Sequence, residues 1–137
     1  VDDLLAFWRD RLDETAEIVE TIRSGGFAAS TWTTEPSKSG AWVILREAGD
    51  PTPLGYVTNG RGEHRHIARH DPARTLRDVA ADRAILEHHR AVGYYPATDL
   101  GRSHYWCSCG EPQPCLTVRA RVSVYSDHPG YKEDWKP

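Results

Sequence analysis

The run Cys107-Ser108-Cys109-Gly110-Glu111-Pro112-Gln113-Pro114-Cys115 holds every cysteine of the chain. Thiolates are soft ligands, and a tight turn carrying two or three of them is how small domains hold zinc. One residue separates Cys107 from Cys109, which is tighter than the usual two-residue knuckle, and Gly110 relieves the backbone of such a turn. Cys115 stands where a helix would begin, and a helix N-terminus favours a thiolate. A tetrahedral site with three sulfurs needs one more ligand, commonly an imidazole. Three histidines compete for that place. His89 comes first, because it borders the apolar residues Ile85 and Leu86 at helical spacing. His104, close in sequence to Cys107, comes second, and His88, turned further from the apolar face, third. Four protein ligands leave no open position, so the site would be structural, and metal binding would be coupled to folding. The competing readings are three reduced thiols without an ion, or a redox disulfide that leaves one cysteine over.

Downstream, Leu116, Val118, Ala120, Val122 and Val124 alternate with other residues, a strand-like period. Pro114 is placed to start a helix and Asp127-His128-Pro129-Gly130 to end one, and for residues 116–125 we favour the helix while the strand stays open. Tyr131 to Trp135 is expected to fold back and bury its aromatics. Upstream, residues 94–114 read as a long irregular stretch, of a length that needs something to hold it. Before that, Asp71 is an N-cap and Pro72 a first helical residue. The helix they open is expected to run to about Val92, stop at Gly93, and bury Leu76, Val79, Ala80 and Leu86. Residues 63–69 read as a short helix in preference to a last strand.

Further upstream the composition changes. Thr31-Trp32-Thr33, Ala41-Trp42-Val43-Ile44-Leu45 and Leu54-Gly55-Tyr56-Val57-Thr58 carry strand-type residues, separated by turn-rich segments. They predict a small antiparallel meander, which is not stable alone and needs helices on one face. The chain opens with Leu5, Trp8, Leu12, Ala16, Val19 and Ile22 at spacings of three and four, an amphipathic helix over residues 2–24. Asp2 and Asp3 suit its positive end, and Gly25-Gly26 stop it. Its stripe packs on the rest of the chain or pairs with a second copy. The expected architecture is α+β in one compact domain, residues 1–137: an N-terminal helix, a meander, a long central helix, and a last, helical segment joined by the cysteine-rich loop.

With 39% hydrophobic residues, two phenylalanines and no methionine among 137 residues, the core must draw on five tryptophans and six tyrosines. A metal clip would help so small a core. The formal charge of −3 argues against general binding to a phosphate backbone, though not against a local basic patch. No stretch approaches the length of a membrane span, and the N-terminus shows no signal-peptide pattern. Val1 reads as following a removed initiator methionine, and the expected compartment is the cytoplasm, where thiols stay reduced or bind metal.

Four runs together carry a resemblance: His66-Ile67-Ala68-Arg69-His70-Asp71-Pro72-Ala73-Arg74-Thr75-Leu76, Arg83 to His89, Pro114-Cys115-Leu116-Thr117-Val118-Arg119, and Tyr125 to Trp135. They resemble a family of small actinobacterial and actinophage proteins known only as a domain of unknown function. The likeness is good over residues 62–137, loose over the first helix and poor over the meander. Gly130 departs from it, standing where an acidic residue is expected. The resemblance implies an α+β fold and a bacterial or phage cytosolic setting. It also pairs a histidine late in the central helix with cysteines before the last segment, which falls here on His89, Cys107, Cys109 and Cys115. It implies no activity.

A second cluster is His66, His70 and Asp71, with the two histidines four residues apart on one helical face. That spacing suits a metal or a reacting phosphate. The plainer account has His70 precede the Asp71 cap, His66 pack beside Ile67 and the neighbouring arginines face water. Tyr94-Tyr95 and Tyr105-Trp106 read as a base-stacking surface or, more commonly, as core. Three functions follow in order. The first is a noncatalytic zinc-stabilised interaction or regulatory module with a protein partner, monomeric or homodimeric and away from membranes. The second is a nucleic-acid-binding accessory protein using Arg119, Arg121 and the central helix. The third is a small hydrolase built on His66, His70 and Asp71.

Overall fold

A computed structural model describes residues 2–24, 31–40, 42–58, 63–95 and 104–137. The fold is α+β. Its elements are α1 (Asp2–Ser24), β1 (Trp32–Pro36), β2 (Trp42–Glu47), β3 (Pro53–Thr58), α2 (Glu63–Arg69), α3 (Pro72–His88), β4 (Ala91–Tyr95), β5 (His104–Cys107) and α4 (Leu116–Val122). Short 3-10 turns follow at Ser123–Tyr125 and Glu133–Trp135. No helix among the described residues is long and apolar enough to cross a membrane. The chain groups into two compact units, residues 14–79 and residues 1–13 with 80–137.

In the first of these units β1, β2 and β3 form the meander, antiparallel in the order β1-β2-β3. Along β2 the buried residues Val43, Leu45 and Glu47 alternate with more exposed ones, so one face is covered. The cover is α2, which packs on all three strands. The short helix expected over residues 63–69 is therefore present, and it supplies what a three-stranded sheet lacks alone. Asp71 caps α3: its Oδ1 accepts the Arg74 N–H at 2.7 Å, and its Oδ2 the Trp32 N–H at 3.4 Å.

The other unit holds the candidate site. Leu4, Leu5, Trp8 and Leu12 of α1 are buried there, as are Leu86, Val118, Val122 and Trp135. The strand-like period of residues 116–124 is that of a short helix entering a 3-10 turn, with Val118 and Val122 inward at a spacing of four. The C-terminal run does fold back. Phe7 meets Tyr125, His128 and Trp135 at ring distances of 6.2, 5.3 and 5.2 Å. Arg11 Nη1 lies 2.8 Å from His128 Nε2, and Lys132 pairs with Asp3 at 2.9 Å. A Cβ at Gly130 would stand 3.3 Å from both Phe7 and His128, so the glycine fits a close approach that an acidic side chain would crowd.

The structure departs from four expectations. The central helix ends at His88 and does not reach Val92, because residues 91–95 turn into a strand. Gly93 is not its stop but sits at a register shift in that strand. Residues 94–114 are not irregular throughout, since β4 and β5 pair antiparallel, with Tyr94 opposite Tyr105. Ala80 is exposed, while Asp82, two residues on, is buried and ion-paired with Arg121.

Candidate metal centre

The three cysteines come from one turn and its exit. The chain leaves β5 at Cys107 and turns on Gly110, whose φ of 89° is open to glycine and strained for other residues. The Gly110 N–H bonds to the Cys107 carbonyl at 2.9 Å, and the Cys107 N–H to the Glu111 carbonyl at 2.8 Å, which closes the turn. The Gln113 N–H then bonds back to the Tyr105 carbonyl at 2.7 Å, and the Gln113–Pro114 peptide bond is cis. Cys115 follows as the N-cap of α4. Its sulfur makes no capping bond and faces the histidine instead.

That histidine is His89, the residue after the end of α3. Its N–H still bonds to the Ile85 carbonyl at 2.9 Å, so the last helical turn sets its position. Its carbonyl accepts the Gln113 side-chain amide at 2.5 Å. Two further bonds tie the same corner together: the Ser108 hydroxyl to the His88 carbonyl, and the Ser108 N–H to the Arg90 carbonyl at 3.0 Å. The helix end, hairpin and turn are thus fastened, without an ion, by two backbone bonds and by two side-chain bonds to the His88 and His89 carbonyls.

His89 Nδ1 lies 3.4 Å from Cys107 Sγ and 3.3 Å from Cys115 Sγ. The ligating atoms of His89, Cys107, Cys109 and Cys115 all fall within 4.8 Å of one another. A tetrahedral zinc ion bonded to sulfur and nitrogen at ordinary lengths sets S···N separations of about 3.5 Å and S···S separations of about 3.8 Å. The four atoms are therefore geometrically able to hold one metal ion without moving far.

The thiols are not equivalent. Cys107 and Cys115 are buried, and Cys109 is exposed. Burial pushes the Cys107 thiol up to about 11. The Cys109 thiol is held below its usual value, chiefly by a hydrogen bond with Cys107. A dication placed among them would reverse the preference of Cys107 for its neutral thiol, since a coordinating thiol is deprotonated outright.

Comparison with known families fits this geometry to no described activity. The chain belongs to DUF6221, a family of unknown function, which it matches over residues 1–137. No curated protein and no solved structure matches it.

Of the other histidines of this DUF6221 chain, His88 is exposed: its carbonyl accepts the Ser108 hydroxyl and its ring meets that of His89 edge-on at 5.3 Å, but it is not among the four converging ligands. The backbone of His104 lies in β5, and its side chain falls outside the described residues. The second cluster is only partly assembled. His66 and His70 bring their rings to 4.4 Å on an exposed face, while Asp71 is buried and spends its carboxylate on backbone N–H groups. Sequence reasoning missed Gln113 and Ser108. Gln113 is a buried amide between two prolines, and that setting was its one available signal. Nothing in the sequence marks Ser108.

Proposed function

We propose that this protein is a noncatalytic, zinc-stabilised interaction or regulatory module, cytoplasmic and of actinobacterial or actinophage origin. One observation carries the reading: a single imidazole and three sulfurs from separate elements converge on one ion-sized space. Zinc is the metal that three thiolates and an imidazole in a tetrahedron select. With all its ligands supplied by the protein, the ion has no position left for water or substrate, so its work is structural. It clasps the end of α3, the β4–β5 hairpin and the start of α4.

An interaction role is supported by what the clasp displays. Tyr94 and Tyr105 pack against each other at 5.1 Å on the hairpin yet stay 56% and 46% exposed. They are not core, and aromatic residues of this kind are enriched where proteins meet. A protein partner suits the chain better than nucleic acid, given its net charge of −3.

The test is a chelator titration followed by circular dichroism and by tyrosine and tryptophan fluorescence. Loss of tertiary structure in step with metal removal, and its recovery when zinc returns, is the expected result. A fold indifferent to chelation would count against the proposal.

A further inference from the structure

The sulfurs differ in two independent ways. Cys107 and Cys115 are 1% and 2% exposed, and each Sγ lies against His89 Nδ1 at hydrogen-bond range. Cys109 sits at the exposed apex of the turn, yet its Sγ is within 4.8 Å of the other ligating atoms. Two ligands are therefore enclosed and one is open to solvent. Oxidation of cysteine follows thiolate character and access, and a reactive cysteine needs a second sulfur nearby to resolve it. A zinc-bound Cys109 would have all three.

Resting on the zinc reading above, we propose that Cys109 is an oxidative modification site, at which a hydroperoxide converts the cluster to a disulfide and releases the metal. The Cys109 sulfur attacks a peroxide oxygen. An S–O bond forms, the O–O bond breaks, and the departing oxygen takes up a proton to leave as water, or as an alcohol from an alkyl hydroperoxide. The thiolate of Cys107 or Cys115 then attacks the Cys109 sulfur. An S–S bond forms, the S–O bond breaks, and the second oxygen leaves as hydroxide, which is protonated to water. Two thiolates have given two electrons to one peroxide. The ion, left with one thiolate and one imidazole, dissociates into solvent. Thiol reductants reverse the disulfide and restore the ligand set.

The experiment uses the full chain loaded with one equivalent of zinc and treated with hydrogen peroxide. Zinc release is followed with a chromogenic indicator, and disulfides are mapped by peptide mass spectrometry after alkylation. The expected result is release of one zinc for two thiols lost, a disulfide that contains Cys109, and full reversal by dithiothreitol. Cys109→Ser removes a ligand, so it is compared by thiol loss and not by zinc: its Cys107 and Cys115 should be oxidised by peroxide about ten-fold more slowly than the wild-type cluster loses its thiols. Equal rates of thiol loss in the two proteins, or a wild-type disulfide joining Cys107 to Cys115, would overturn the inference. The arms separate it from the proposal beneath it. A protein that binds no zinc but still forms its disulfide at Cys109 sinks the zinc reading and leaves the modification site standing. A zinc-loaded protein whose Cys109 resists peroxide does the opposite.

Discussion

At the scale of single residues, the candidate metal centre depends on one ring nitrogen. His89 Nδ1 lies against the two buried sulfurs, and no other described histidine joins the group. X-ray absorption of the zinc-loaded protein should show about three sulfurs near 2.3 Å and one nitrogen near 2.0 Å. His89→Ala and Cys115→Ala should each lose the ion, whereas His88→Ala should keep it. The pH response follows from the Cys107 thiol. Burial raises its folded value to about 11 from an ordinary 9.0, so without metal its stabilising share is complete below pH 9 and fades as the pH climbs through 11. The loaded protein must respond in the other direction, since protons compete with zinc for sulfur and imidazole. A pH titration of bound zinc should show release on acidification, and metal retained into strong acid would contradict the ligand set. Away from the site, Trp8 is fully buried, and Trp8→Ala should cost roughly 3–5 kcal/mol in denaturant unfolding.

At the scale of elements, what local chemistry decides was legible and what tertiary pairing decides was not. The stripe from Leu5 to Ile22 marks α1, whose expected stop at Gly25-Gly26 lies outside the described residues, and Asp71-Pro72 marks the start of α3. Asp71→Ala removes a cap and should cost about 1 kcal/mol, with helix loss visible by circular dichroism. The end of α3 was misplaced because Ala91 and Val92 suit a helix as readily as a strand. Their state is settled by β5, four residues long and too short to show a period of its own. The same limit hid the pairing of Tyr94 with Tyr105. The helix at residues 116–122 was readable only through Pro114 ahead of it and the proline and glycine after it. Its valines alternate as in a strand and are sorted into inward and outward only by the packing of Val118 and Val122.

At the scale of the whole molecule, the candidate site was more legible than the fold around it. Cysteines are few and their chemistry is narrow, so three within nine residues point to one another. The imidazole was harder, because three histidines lay within reach in sequence; helical spacing ranks His89 above His88, and the Nδ1 contacts at the end of α3 agree with that ranking. What secures the corner, Ser108 and Gln113 bonding to the carbonyls of His88 and His89, carries no pattern that periodicity or spacing detects. A chain with so modest a hydrophobic fraction has little core to spare, and an ion that ties helix, hairpin and last helix together would add what that core lacks. Metal content, measured by elemental analysis on protein purified without added zinc, tests this most directly. One zinc per chain, lost together in Cys115→Ala and His89→Ala, is the predicted result, and a metal-free wild type that is fully folded would contradict it.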